Sequence, residues 1–277
     1  MSVVEYREYS VLMSVYHKEK PEYLKQSIES IQAQTLSTND FVLVCDGPLN
    51  EQLDSVIATK RQEMGESLNV VRLAKNGGLG NALNEGIKHC KNELIARMDS
   101  DDIAYPDRCE KQLAVFDEHP EVSICSGIVE EFTTDPNTVD AKRVPPETNA
   151  EIVEFAKKRN PENHPVIMFR KQAVLAAGGY QHFPLFEDYY LWIRMLQNGA
   201  KFYNIQESLL YFRFSPAMFK RRGGLKYVTT ELRFQNQLRN LGFITSSEYL
   251  YNVFIRVITR MMPNTLRAIL YKKALRK

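Results

Sequence analysis

No uninterrupted apolar stretch in this 277-residue sequence reaches the roughly 18 residues a membrane-spanning helix needs, and no apolar run follows a basic start at the N-terminus. Neither a spanning helix nor a signal peptide is expected, which places the protein in the cytoplasm. Cysteine is scarce. Cys45, Cys90, Cys109 and Cys125 stand apart without C-x-x-C spacing, which speaks against a zinc site or a disulfide framework and for reduced thiols. A net charge of only +2 gives no global field to attract nucleic acid. Internal repeats and low-complexity tracts are absent. Acid is missing most unevenly: no Asp or Glu follows Glu248, while Arg256, Arg260, Arg267, Lys272, Lys273, Arg276 and Lys277 make that tail a separate, basic object.

With 44% hydrophobic residues, the chain can bury a large core as one α/β domain, or as one domain with a helical appendage. The first half alternates short β-branched runs with helical patterns, the signature of βαβ units around a mostly parallel sheet. Strands are expected at 10–16, 41–46, 68–73, 93–98 and 122–129. Leu24, Ile28 and Ile31 mark one buried helix face, and Leu79, Leu83 and Ile87 repeat the spacing. The apolar pattern lapses over 132–146, where Asp135-Pro136-Asn137 and Pro145-Pro146 punctuate a loop between two subregions. Beyond it the pattern gives a helix near 150–158, a strand at 166–170, a helix opening at Glu187, and strands near 201–205 and 208–214. Helices follow.

Ligands of an open parallel sheet bind beyond the carboxyl ends of its strands, so the residues just after each run carry the information. Strand two ends in Asp46-Gly47-Pro48, a carboxylate able to hydrogen-bond a ribose or base, or a plain turn former. After strand three, Asn76-Gly77-Gly78-Leu79-Gly80-Asn81 is a glycine-rich turn entering a helix. It suits a phosphate or close packing, and matches neither G-x-x-x-x-G-K-[ST] nor G-x-G-x-x-G. After strand four come Asp99, Ser100, Asp101 and Asp102. Three carboxylates so close at the end of a buried strand repel one another and call for a cation. Mg2+ or Mn2+, completed by substrate phosphates, fits that need; a solvated loop capping the helix after Pro106 is the alternative. Arg97, a charge inside an apolar strand, is expected to be buried against Asp99 or Asp102. Glu187 and Asp188 open a later helix, where acids serve the helix dipole. A carboxylate from so distant a segment is also a candidate general base beside a metal–diphosphate site.

In order and spacing, Ser14-Val15-Tyr16, Asp46-Gly47, Asn76-Gly77-Gly78-Leu79-Gly80-Asn81-Ala82-Leu83-Asn84, Asp99-Ser100-Asp101-Asp102 and Glu187-Asp188 resemble the inverting family 2 glycosyltransferases of the GT-A fold. The bacterial enzymes of capsule, O-antigen and exopolysaccharide assembly are the nearest in kind. The resemblance covers about 10–214. It implies an α/β, GT-A fold: a Rossmann-like, mostly parallel nucleotide-binding sheet with a C-terminal helical appendage. The catalytic domain would be 1–214, with nucleotide-binding and acceptor halves meeting near 130, and 215–277 would form a basic lid and an amphipathic helical tail. By the same resemblance, Val15, Tyr16 and Glu19 line the nucleotide pocket, Asp46 meets the base, and Asn76, Gly80, Asp99 and Ser100 serve the nucleotide or donor sugar. Asp101 ligates Mn2+ or Mg2+ with Asp102 in support, and Asp188 is the catalytic base. His164 and Glu187 fall on the acceptor side. Arg213 precedes Lys220-Arg221-Arg222-Gly223-Gly224 in the basic lid, which would reach the donor phosphates.

The implied reaction moves a hexose from a UDP-sugar, UDP-Gal or UDP-Glc foremost, to a hydroxyl of a glycan or polyprenyl-diphosphate-linked acceptor in bacterial surface polysaccharide synthesis. It would run at the cytoplasmic face of the inner membrane. No Q-x-x-R-W motif follows Asp188, which disfavours a processive synthase. In the tail, Phe254, Val257, Ile258 and Met261, then Leu266, Ile269 and Leu270 beyond Pro263, recur at helical spacing among basic residues. Such helices suit an anionic membrane surface, although packing on the domain or a homodimer contact would use the same stripe. A sugar-nucleotide-forming nucleotidyltransferase would carry a glycine-rich basic loop after strand one, where His17-Lys18-Glu19-Lys20-Pro21 has no glycine. A dinucleotide-dependent oxidoreductase fails on the same point. A non-catalytic sugar-nucleotide-binding subunit would have no need of both the D-x-D acids and Asp188.

Overall fold

A computed structural model describes residues 8–214 and 225–261. The basic lid at 215–224 and the tail beyond 261 lie outside the described residues. Chain order is β1 (Tyr9–Val15), α1 (Pro21–Gln32), β2 (Asp40–Cys45), α2 (Glu51–Met64), β3 (Leu68–Arg72), α3 (Leu79–His89), β4 (Leu94–Asp99), β5 (Ile103–Ala104) and α4 (Arg108–Glu118). There follow β6 (Val122–Phe132), β7 (Ala141–Arg143), α5 (Asn149–Ala156), β8 (Met168–Arg170), α6 (Lys171–Ala176), α7 (Glu187–Gln197) and β9 (Lys201–Arg213). Two helices, Leu225–Asn240 and Ser246–Met261, close the described chain.

Among the described residues, nine strands form one sheet ordered β3-β2-β1-β4-β8-β6-β9-β5, with β7 on the side of β6. The pairs β1–β2, β1–β4, β2–β3 and β6–β9 are parallel, while β8 lies antiparallel between β4 and β6. The mostly parallel sheet expected from the βαβ pattern is therefore present, and it runs across the expected junction near 130 without a break.

Helices cover both faces, which is why β1, β2 and β4 are apolar almost throughout rather than alternating. Val11, Met13 and Val15 point into one core with Leu24, Ile28 and Phe116, and Leu12 points into the other with Leu83 and Trp192. The helix face expected from Leu24, Ile28 and Ile31 is buried in α1. In α3, Leu83 and Ile87 are buried but Leu79, the first helical residue, is exposed.

Three sequence expectations change. The strands read at 201–205 and 208–214 are one strand, β9, whose pairing with β6 shifts register between Ile205 and Ser208. The loop read at 132–146 contains the short strand β7. Helix α2 gave no sequence signal, since it buries only Leu53, Ile57 and Lys60, the last held by Glu29 at 2.9 Å and Glu63 at 2.8 Å. The C-terminal helices form a third core with α7, in which Phe234 stacks on Phe186 at 4.8 Å and meets Tyr189 at 4.6 Å.

Candidate active site

Parallel pairing in register brings the carboxyl ends of three strands together: Val15 lies beside Cys45, and Ser14 beside Asp99. The Val15 side chain is buried in the core, so only its backbone can face a nucleotide, and its carbonyl accepts the Asp46 N–H at 2.8 Å. Tyr16 is exposed at the strand end, edge-on to His17. Asp46 is buried. Its two carboxylate oxygens accept the N–H groups of Gly77 at 2.8 Å and Gly78 at 3.0 Å, while the Asn76 amide donates to its carbonyl at 3.1 Å. Gly47 makes this closure possible: its φ is +84°, and a Cβ there would lie 2.5 Å from the Asn76 nitrogen. The donors of the glycine turn thus hold an internal carboxylate, which already supplies the anion that a helix N-terminus favours.

The acidic cluster sits at the end of β4. Carboxylate oxygens of Asp99, Asp101 and Asp102 lie within 4.8 Å of one another. Burial first, then the charges of Asp99 and Glu19, push the Asp101 carboxyl from an ordinary 3.8 up to about 7. Burial, with Asp101 and Asp99, likewise raises Asp102 well above its ordinary value. Asp102 is fully buried, accepts the Arg213 backbone N–H at 2.8 Å on Oδ1, and has no partner for Oδ2 among the described residues. Among the described residues only Asp99 of the three has an ion-pair partner, and three hard oxygen donors this close together fit a divalent cation such as Mg2+ or Mn2+.

Neighbouring residues hold the cluster in shape. Arg97 is fully buried, as expected from its strand, and its Nη2 pairs with Asp99 Oδ1. The Ser27 hydroxyl donates to the Asp99 carbonyl at 2.9 Å, and the Ser100 hydroxyl to Glu19 at 2.9 Å. Glu19 and Ser100 are thus one unit joining the β1 loop to the acidic turn. Arg213, expected within a strand at 208–214 and beside the basic lid, ends a strand here. Its Nε donates to the Asp101 carbonyl at 2.9 Å and its Nη2 to Gln26 at 2.8 Å, with the guanidinium between the rings of Tyr23 and Phe132.

The part of the chain beyond residue 130 meets this end of the sheet through α7. Phe186 caps the helix, and Leu185 just before it holds φ +72°, a strained value for a residue other than glycine. Asp188 lies in the first turn, and the Asn160 amide donates to its Oδ2 at 2.7 Å. Burial, then the charge of Asp188, raises Glu187. Gly80 on α3 admits this half closely: a Cβ there would lie 3.3 Å from Tyr180 Cβ and 3.7 Å from Glu187 Cγ. The Asn84 side chain clamps the same contact, donating to the Tyr180 carbonyl at 2.7 Å and accepting its N–H at 2.8 Å.

His164 bonds the Tyr180 hydroxyl through Nε2 at 2.9 Å and packs edge-on to Trp192. Burial, reinforced by the Arg97 charge, holds it well below its ordinary value, so the imidazole is neutral. Burial, with smaller contributions from Asp188 and Asp99, raises the Tyr180 hydroxyl above its ordinary value. Sequence reading missed Tyr180 and Asn160. The pairs Gly178-Gly179 before Tyr180 and Asn160-Pro161 mark turns but name no partner.

The family model described as Glycosyl transferase family 2 matches residues 10–179, more than half of the chain. This chain belongs to glycosyl transferase family 2. Across its family 2 relatives, it is 41% identical over 268 residues to the amylovoran biosynthesis glycosyltransferase AmsE of Erwinia amylovora, covering 96% of this chain and 98% of the relative. It is 36% identical over 270 residues to an Escherichia coli UDP-Gal:alpha-D-GlcNAc-diphosphoundecaprenol beta-1,3-galactosyltransferase, covering 98% of this chain and 97% of the relative. Among solved structures, Staphylococcus aureus TarS 1-349 in complex with UDP-GlcNAc shares the fold at a TM-score of 0.67 and 15% identity, covering 97% of this chain and 76% of that one. The mannosyltransferase PcManGT of Pyrobaculum calidifontis, in complex with GDP-Man and Mn2+, matches at a TM-score of 0.59 and 14% identity, covering 98% and 70%. The chain is a family 2 glycosyltransferase of α/β, GT-A architecture with helices at its C-terminus. Among the described residues, no helix is long and apolar enough to cross a membrane.

Proposed function

We propose that this family 2 glycosyltransferase moves a hexose from a UDP-sugar, UDP-Gal or UDP-Glc foremost, to a hydroxyl of a lipid-linked or oligosaccharide acceptor in surface polysaccharide synthesis. The anomeric centre inverts. The observation that carries the reading is the acidic cluster: Asp101, with a carboxyl pushed up to about 7, and Asp102, with a buried oxygen lacking a partner among the described residues, stand with Asp99 so that one carboxylate oxygen of each lies within 4.8 Å of the others. The name of the E. coli relative supports the donor and the diphospholipid-linked acceptor.

In this reading the halves meeting near residue 130 divide the work. Val15, Tyr16, Glu19 and Asp46, with Asn76, enclose the nucleotide. Asp99 and Ser100 meet the ribose or donor sugar, and Gly80 keeps the two halves in contact. Asp101 would hold Mn2+ or Mg2+ with Asp102 in support; when bound, the ion neutralises charge on the departing diphosphate. Asp188, oriented by Asn160, takes the proton of the acceptor hydroxyl as its oxygen attacks the anomeric carbon from the side opposite the leaving UDP. Glu187, His164 and Tyr180 border the acceptor, and Arg213 braces the acidic turn from the donor side. The work belongs at the cytoplasmic face of the membrane that carries such an acceptor.

A donor screen tests the reading. UDP or GDP release is measured across UDP- and GDP-sugars, with and without Mn2+, in the presence of an oligosaccharide acceptor. Metal-dependent UDP release from one UDP-hexose is expected; activity confined to GDP-sugars, or none with any donor, removes it.

A further inference from the structure

The last described helix, Ser246–Met261, docks on the protein with the wrong face for a buried amphipathic helix. Apart from Tyr249, which packs against the third core, its named inward contacts are polar: the Asn252 amide donates to the Lys157 carbonyl at 2.8 Å, Arg256 pairs with the buried Glu231 at 2.8 Å and also reaches the Lys158 carbonyl. The apolar residues point out. Leu250 is 65% exposed, Tyr251 59% and Phe254 63%, and Ile255 and Ile258 are exposed beside them. At 3.6 residues per turn these five share an arc of about 140°. Of the stripe expected at Phe254, Val257, Ile258 and Met261, the Met261 side chain lies outside the described residues, and the exposed face extends to Leu250, Tyr251 and Ile255.

We infer that this face is a docking surface for an anionic lipid bilayer, on which the helix lies flat. The charge of the chain favours that occupant. No acidic residue follows Glu248, and the sequence continues from this helix into Arg267, Lys272, Lys273, Arg276 and Lys277. An apolar helix face joined to a run of one positive sign is the combination that binds anionic headgroups and their acyl boundary. A patch of five partly exposed side chains, on the order of 500 Å², is below the roughly 800 Å² per partner of a stable protein interface. The inference deepens the proposed reaction, because a lipid-linked acceptor presents its sugar at such a surface.

The test uses the full chain in two separate measurements. Cosedimentation with phosphatidylglycerol-containing and purely phosphatidylcholine vesicles, without donor or acceptor, reads docking; UDP release with a soluble oligosaccharide acceptor reads catalysis. Wild-type protein is expected to partition onto the anionic vesicles. The double variant Leu250→Ser/Phe254→Ser should partition about tenfold or more weakly with UDP release unchanged. Circular dichroism of the variant confirms the fold, since both side chains are exposed. Equal vesicle binding by the variant, or none by wild type, overturns the inference. So does a wild-type dimer in sedimentation velocity that the variant dissociates while vesicle binding is unchanged, since the face then serves a second copy. Vesicle binding that the variant loses, in a protein that releases no UDP from any donor, leaves the docking face in place and removes only the proposed reaction.

Discussion

Arg97 and Asp99 stand two residues apart on β4 and so project to the same face, where the buried guanidinium pairs with a carboxylate that is 31% exposed. One end of the pair is sealed in the core, where Arg97 Nε and Nη1 have no partner among the described residues. The other end opens onto the acidic turn. The pair therefore fixes where the first carboxylate of the cluster stands, and Arg97 acts by positioning Asp99.

A double-mutant cycle measures that relationship. Arg97→Met should lower stability by roughly 1–3 kcal/mol, because it leaves the partly exposed Asp99 carboxylate without its partner beside Asp101 and Asp102. Asp99→Asn should cost less. The two together should fall short of additivity by about 1 kcal/mol or more. Strictly additive denaturant midpoints would show that the two side chains are not coupled.

Asp101→Asn separates function from stability. It relieves repulsion within the acidic cluster, so the metal-free protein should gain stability, raising Tm by roughly 2–4 °C. Metal-dependent donor binding and sugar transfer should be lost together. Near-normal transfer by this variant would remove Asp101 from the metal site.

The pH dependence of metal binding follows from the same carboxyl, which must lose its proton to act as a ligand. With its value raised to about 7, Mn2+ affinity should fall as pH drops below that point, by up to about tenfold per unit, and level off above it. Titration calorimetry with the metal alone, between about pH 5.5 and pH 8, reads this; a flat profile contradicts it. The metal-free fold has the opposite trend. A carboxyl that protonates more readily folded than unfolded adds stability as pH falls from about 7 toward its ordinary 3.8.

Asp188→Asn keeps the amide contact from Asn160 in reach but removes the proposed base. Turnover should fall about 10²- to 10⁴-fold with donor affinity little changed. The split between kcat and donor Kd is the readout. If turnover survives, another residue takes the proton.

Much of the fold was legible because its signals are periodic and local. The apolar runs of β1, β2 and β4 and the i, i+4, i+7 spacing of Leu24, Ile28 and Ile31 are set by burial, which sequence displays directly. Helix α2 was not legible, because Lys60 occupies a core-facing position and three polar neighbours satisfy it. The acidic turn could be found because three carboxylates at a strand end are unusual on electrostatic grounds alone. Asn160 and Tyr180 could not. Their contacts with Asp188 and His164 depend on loops whose course is decided by tertiary packing, and an isolated Asn or Tyr announces nothing. Arg213 was legible as the end of a strand over 208–214, but its role there was not: the sequence read it with the basic run beyond it, whereas its guanidinium braces the acidic turn.

Strand β8 ties the half of the chain proposed to bind the acceptor into the sheet in a way that constrains engineering. Met168–Arg170 pairs with β4 on one side and, through Met168 and Phe169, with β6 on the other. A chimera cut near residue 130 to exchange acceptor preference would import a foreign wedge between two native strands, leaving mismatched side chains on both of its edges. Grafts that carry β6, β8 and β9 as one block, or that replace only the loops around Asn160 and Leu185, keep the ladder whole and are the practical route to new acceptors.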